Sequence, residues 1–315
     1  MFTHFDSGKK MEKQEYEKQL LELRTDLIRT QYKFKEYKRP MLLILTGMDG
    51  AGKGEMVNAL ADVMDSRLLE VATFWQETDE EEERPYYWRF WNAMPMGGKL
   101  GVFFNGLYER TLRKFIDSDE SAETLSQKLK YAEKSEKMLA LDGTVIIKVW
   151  AHISKKEQKK RHEKLEKKFH QTKEISERAN WYFTKYERIC EAAETAYKTT
   201  HTEFAPWEII DCTDKRYREI RFLEVILDGM KRALEDKMPK STTVNTDIID
   251  FPDKLGNLDL SKSADNYKKD LAELVTDIKP LAWEAYEQGL RTMLVFEGWD
   301  AAGKGGCIRR MMRAV

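Results

Sequence analysis

The 315-residue sequence has almost no net charge, few cysteines and no long apolar run. A formal net charge of −1 provides no global field that would select nucleic acid or an anionic membrane as a partner. No apolar run approaches the roughly 20 residues that a membrane-spanning helix needs. The segment from Met1 to Met11 is polar and lacks the apolar centre of a signal peptide. The three cysteines, Cys190, Cys212 and Cys307, have no metal-ligand spacing. They read as reduced thiols of a cytoplasmic protein. What is abundant is charge of both signs, 35% of residues, which suits long solvated helices.

The chain also repeats itself. Gly47-Met48-Asp49-Gly50-Ala51-Gly52-Lys53-Gly54 returns as Gly298-Trp299-Asp300-Ala301-Ala302-Gly303-Lys304-Gly305, a constant offset of 251 residues. The same offset places Tyr16 on Tyr267, Leu20 on Leu271, Leu23 on Leu274, Asp26 on Asp277 and Glu36 on Glu287. Two chance loops would not bring their preceding helices along in register, so the pattern implies tandem duplication of a domain. The expected division is a first domain over 1–240, a linker over 241–258 rich in Ser, Thr, Asn and Asp, and the start of a second domain over 259–315. A lone parallel strand cannot close a domain, because strands buried on both faces need neighbours. The second copy therefore reads as truncated.

Apolar residues at helical spacing over 9–38 predict an amphipathic helix that Pro40 stops. Short apolar runs at Met41–Leu45, Leu68–Phe74, Leu100–Phe104, Thr144–Trp150 and Trp207–Asp211 predict five buried strands. Helices are expected at 53–64, from Ser154 (capped with Glu157) and near 217–236. Strands alternating with helices predict an α/β fold, a three-layer P-loop kinase-like parallel sheet with flanking helices and a helical lid. The acidic run from Glu77 to Glu83 reads as a solvated loop. The aromatic stretch from Tyr86 to Trp91 reads as core, with an association surface as the alternative.

Gly47, Gly52 and Lys53 satisfy Gly-x-x-x-x-Gly-Lys between a strand and a helix. Glycines let backbone N–H groups converge on phosphate oxygens, the helix N-terminus adds positive potential, and the lysine supplies a mobile charge. The candidate phosphate-binding residues are Gly47, Gly50, Gly52, Lys53 and Gly54, with Gly298, Gly303, Lys304 and Gly305 in the second copy. The usual Ser or Thr after the lysine, a Mg²⁺ ligand, is replaced by Gly54 and Gly305. Asp49 and Asp300 inside the loops are instead the candidate metal and catalytic carboxylates. The plainer alternative is that each aspartate caps its own turn.

Gly-x-Asp-x-x-Gly-Lys-Gly after an apolar strand resembles the type-2 polyphosphate kinase family. The resemblance extends to Asp142-Gly143-Thr144 with the following strand, to Ile153–Gln158, and to Pro206-Trp207 through Asp211 and Asp214-Lys215-Arg216. It implies transfer of phosphate from polyphosphate to a nucleotide with Mg²⁺. The tandem arrangement is similar to the family's two-domain members, the polyphosphate:AMP phosphotransferases, so AMP and ADP are the expected nucleotides. The resemblance further implies a basic helical lid, which falls on Lys155–Lys173 and Arg178. Solvated helices with i, i+4 ion pairs would look the same.

The first copy departs from the family at one point. The family's Asp-Arg-Ser-Trp-Tyr motif is represented by Asn105-Gly106-Leu107-Tyr108. The carboxylate has become an amide and the arginine a glycine, and phosphoryl transfer depends mostly on such charges. A first domain of scaffold or regulatory type is therefore expected. Two other readings stand beside this one. One is an ATP-dependent nucleotide kinase. The other is a non-catalytic assembly module whose N-terminal helix and aromatics would join copies into a homo-oligomer.

Overall fold

The computed structural model describes residues 2, 8–74, 76–168, 173–235 and 266–314. The linker expected at 241–258 lies outside them. The chain divides into two compact units, Met1–Asn245 and Thr246–Val315.

In the first unit five parallel strands run in the order β2-β3-β1-β4-β5: β1 Met41–Gly47, β2 Leu69–Thr73, β3 Leu100–Phe104, β4 Val145–His152 and β5 Trp207–Asp211. The strand β1 lies in the middle of the sheet and is buried along its whole length, as its uninterrupted Met-Leu-Leu-Ile-Leu run requires. Helix α1 (Lys13–Tyr37) lies against α10 (Lys215–Leu234), where the Tyr16 hydroxyl donates to Glu219 at 2.8 Å. It ends at Lys38, which adopts a left-handed conformation with φ 54° and donates its N–H to the Lys35 carbonyl. Pro40 then prevents continuation. Helix α2 (Lys53–Val63) follows β1 through the glycine loop.

The remaining helices are α3 (Asp79–Glu82), α4 (Trp88–Asn92), α5 (Glu109–Asp117), α6 (Ala122–Leu141), α7 (Lys155–Lys168), α8 (Lys173–Thr184) and α9 (Tyr186–Thr200). Apolar faces of α6 and α9 pack together, burying Leu125, Leu129, Ala192, Ala193 and Ala196. A charged pair sits within this layer. Lys148, in mid-strand on β4, donates to Glu136 of α6 at 2.7 Å and to the Thr200 carbonyl at 2.6 Å. The Tyr108 hydroxyl donates to the other Glu136 oxygen at 2.5 Å. Burial pushes the Glu136 carboxyl up and the Lys148 ammonium down from their ordinary values, against their mutual attraction. Removing one member of such a fully buried pair typically costs about 3–5 kcal/mol.

One expectation changes and another holds. The acidic run is not simply a solvated loop. Thr78 and Glu81 form a reciprocal capping box that starts the short helix α3. Glu77 pairs with Arg110 at 3.3 Å and Glu81 with Arg89 at 3.2 Å. The carboxylates were legible as charge, but their partners stand 8 to 33 residues away in the sequence. The aromatic stretch turns largely inward. Phe90 meets Phe74 at 4.7 Å and Tyr86 at 5.1 Å, both edge-on, as aromatic quadrupoles favour. Only Trp91 of this stretch is among the exposed large apolar residues.

In the second unit the described elements are α11 (Tyr267–Glu287) and α12 (Lys304–Ala314). Helix α11 occupies the positions that the 251-residue offset assigns to the body of α1. The apolar run Met293–Phe296, counterpart of β1, forms no strand and is exposed. Among the described residues of the chain, no helix is long and apolar enough to cross a membrane.

Candidate active site

The carboxyl ends of β1, β3 and β4 bring the functional side chains together, on the edge where open α/β sheets bind ligands. Gly47 ends β1 opposite Ala151 of β4. Its φ is +136°, and a Cβ there would lie 2.2 Å from the Ala151 carbonyl oxygen. Only glycine fits both the backbone angle and the strand spacing. Met48 donates its N–H to the same carbonyl at 2.9 Å, fixing the start of the loop. Gly52 caps α2 with φ +86°, and a Cβ there would collide with the Arg218 guanidinium.

Lys53 is buried and folds back over the loop. Its ammonium donates to the Gly47 carbonyl at 2.8 Å and the Met48 carbonyl at 2.9 Å. Burial pulls it below the ordinary lysine value, while Asp49 and Glu109 favour its charge. Gly50 bends the loop at φ +75°, and Gly54 lies in the first turn of α2 with open space around it.

Residues from α7, α8 and α10 hold the loop from outside. Gln158 donates to the Asp49 carbonyl at 3.0 Å, and Arg161 donates to Gly50 at 2.9 Å and to Cys212 at 2.7 Å. The Asp49 carboxylate meets His162 at 3.2 Å through one oxygen and Arg178 at 3.1 Å through the other. Burial opposes its charge, but the His162 hydrogen bond and the Arg178 and Lys53 cations prevail and hold the carboxyl below its usual range. Beneath the loop, Arg218 donates to the Ala51 carbonyl at 3.1 Å and pairs with Glu55. Of the two lid residues expected from the sequence, Arg178 thus reaches the loop. The side chain of Lys173 lies outside the described residues.

Beside the loop opens a cleft of about 1050 Å³. Its lining includes Asn105, Glu109, Arg110, Arg113, Arg178 and Tyr182. Asn105 is buried and left-handed at φ 55°. Burial raises the Glu109 carboxyl above its ordinary value, partly offset by Lys53, Arg113 and Arg178. Sequence reading missed Gln158, Arg161, His162, Arg218 and Glu109. His162 and Arg161 lay within the expected lid, but only the fold shows which lid side chains turn to the loop.

Among the described residues no three histidine, cysteine or carboxylate side chains converge on one point. A Mg²⁺ ion usually takes one or two carboxylates and completes its shell with water and phosphate oxygens. The hard oxygens of Asp49, Asn105 and Glu109 fit an ion delivered with phosphate, and not a preformed protein cage.

In the second copy Lys304 repeats the same fold-back, donating to Gly298 at 2.7 Å and Trp299 at 2.6 Å. Gly298 and Gly303 keep positive φ values of +152° and +85°. Asp300 accepts the Ala301 N–H at 2.9 Å, the turn-capping role. Gly305 lies in the first turn of α12.

The profile of the Polyphosphate kinase 2 (PPK2) family matches residues 10–238 and 261–315. A polyphosphate:AMP phosphotransferase of Pseudomonas aeruginosa PAO1 is 35% identical over 324 residues, covering 100% of this chain and 65% of that protein. A polyphosphate:AMP phosphotransferase of Pseudomonas syringae pv. tomato is 34% identical over 326 residues with the same coverage. The chain thus spans 65% of the length of these relatives. Among solved structures, a candidate polyphosphate kinase 2 of P. aeruginosa PA01 superposes with a TM-score of 0.81 at 34% identity, covering 100% of this chain and 63% of that one. Polyphosphate Kinase 2 of Arthrobacter aurescens TC1 superposes at 0.66 with 28% identity, covering 73% of this chain and 83% of that one. The loop, the strand order and the match of both segments make this chain a member of the polyphosphate kinase 2 family.

Proposed function

We propose that the chain is a phosphotransferase of polyphosphate metabolism that moves a phosphoryl group from polyphosphate to AMP, making ADP in the cytoplasm. The observation that carries this reading is the paired loop, Asp49 with Lys53 and Asp300 with Lys304, in a chain covered end to end by relatives named polyphosphate:AMP phosphotransferase. An oxygen of the AMP phosphate attacks the terminal phosphorus of the polymer. The bond from that phosphorus to the bridging oxygen breaks, and its electrons leave with the shortened chain. The N–H groups of the loop and the lysine ammonium stabilise charge on the transferring group. For this, Lys53 must exchange its bonds to Gly47 and Met48 for phosphate oxygens. Mg²⁺, when bound, neutralises phosphate charge. Asp49 and Asp300 are its expected carboxylates, and Asp49 would first have to part from Arg178 and His162.

Within this reading the first domain turns over slowly, because Asn105 and Gly106 carry neither the carboxylate nor the guanidinium of the family motif. Incubation with Mg²⁺, AMP and either polyphosphate or ATP, with ADP measured, tests the assignment. Slow ADP formation that depends on polyphosphate is expected. ADP formed equally well with ATP as donor would overturn it in favour of an ATP-dependent nucleotide kinase.

A further inference from the structure

Two carboxylates stand near the first loop, and they are committed differently. Both oxygens of Asp49 are taken, by His162 and Arg178. Glu109 has no side-chain hydrogen bond or ion pair within 4 Å among the described residues, although it is half-buried. The charges that reach it are those of Lys53, Arg113 and Arg178, so it stands in the field of the loop lysine and of the α8 arginine. It lines the same cleft as Asn105. One tight turn connects them: Asn105 ends the strand in a left-handed conformation, and the Glu109 N–H donates to the Gly106 carbonyl at 2.9 Å.

A half-buried carboxylate that has shed water without gaining a hydrogen bond or a close ion pair is costly to keep, even with cations at longer range, and a cation arriving during function would relieve it. An amide oxygen at position 105 supplies a lone pair but no charge. We propose that Glu109 supplies the missing charge: with the Asn105 amide oxygen it takes the divalent cation that accompanies phosphate bound at the first loop. This rests on the phosphotransferase reading above. The site would hold a metal–phosphate complex, yet without an arginine at position 106 it would stabilise transfer poorly. The first domain then binds its ligand and contributes little rate.

The test uses the full chain carrying Lys304→Ala, so that the second loop contributes little. Its affinity for tripolyphosphate is measured by calorimetry without metal, and with Mn²⁺ as the probe, with bound Mn²⁺ followed by paramagnetic resonance. Glu109→Gln is expected to weaken Mn²⁺–tripolyphosphate binding about tenfold while leaving metal-free binding unchanged or tighter. Glu109→Asp, which keeps the charge, is expected to retain most of the metal-dependent binding, and thermal melting of each variant separates this effect from misfolding. If Glu109→Gln leaves Mn²⁺–tripolyphosphate binding unchanged, or tightens both forms alike, Glu109 is a bystander or merely repels the polyanion, and the proposal falls alone. If the parent chain binds tripolyphosphate in neither form, the phosphotransferase reading falls with it.

Discussion

Lys53 and Lys304 make the same two bonds to the first two carbonyls of their loops, and Gly52 and Gly303 have φ values of +86° and +85°. Yet the first loop is sheathed by β4, α7, α8 and α10, whereas the residues of the second are largely exposed. The two loops thus share one conformation, and what they have in common is the residue pattern Gly-x-Asp-x-x-Gly-Lys-Gly. What the enclosure adds is electrostatic. It buries Lys53, holds the Asp49 carboxyl below its usual range and ties Asp49 to His162 and Arg178. The loop helices also differ in charge: Glu55, partner of Arg218, is matched by Gly306, while Asn58 and Ala59 are matched by Arg309 and Arg310.

The largest effect that would break this comparison is expected at its first glycine. Gly47→Ala places a Cβ against the backbone of Ala151, where nothing can give, and should cost on the order of 4 kcal/mol in thermal unfolding. Gly298→Ala meets no atom nearer than 3.9 Å, so only backbone strain of about 1–3 kcal/mol is expected, read by amide exchange across the second loop. Equal effects would mean that enclosure is irrelevant to the first loop.

Acid should separate the units next. His152, at the end of β4, is fully buried and its imidazole is pushed down to about 4, chiefly by burial and against the charge of Asp211. The unfolded chain, with an ordinary value near 6.5, then binds more protons between these limits. The stability from a neutral His152 is complete above about pH 6.5 and is lost as the pH falls to about 4, on the order of 3 kcal/mol in all. Residues 266–315 contain no histidine, so the second loop should not share this slope. Exchange measured against pH, with His152→Phe flattening the first unit's profile, checks it.

The smallest effect concerns the one loop position where glycine is not kept. Ala301 adopts φ +59° where Gly50 has +75°. Ala301→Gly should relax the second loop by about 1 kcal/mol, and Gly50→Ala should cost the first about as much, since its Cβ meets only ordinary contacts. Paired exchange measurements on the two variants would show whether both loops demand the same backbone angle at this position.

Strands β3 and β5 begin and end where their apolar runs do, and the glycine loop was legible because its residue types are dictated by backbone angles. Helices α5, α6 and α9 were not read, since their apolar residues are diluted by charge and their faces are defined by one another. Arg178 was legible only through the family resemblance, and the roles of Gln158, Arg161 and His162 beside it were hidden. These residues point at a loop more than 100 positions earlier, and no period in the sequence carries that distance. Asn105 and Gly106 were visible as departures from a family motif. Glu109 went unnoticed because nothing in the sequence says that a residue four positions on lines the same cleft.

The central claim is that the first domain keeps a phosphate cradle and lacks the charges for transfer. Restoring them tests it most directly. Asp tolerates the left-handed angle at position 105, while the Cβ that Gly106→Arg introduces lies 3.0 Å from the Phe103 Cβ, a tight approach that Phe103 must relieve by a small shift. In a chain carrying Asn105→Asp and Gly106→Arg, ADP formation from polyphosphate and AMP should rise at least about tenfold, chiefly through the arginine, the scale expected for added transition-state charge stabilisation. Adding Lys53→Ala should abolish the gain. A folded double variant with no increase in ADP formation would contradict the account.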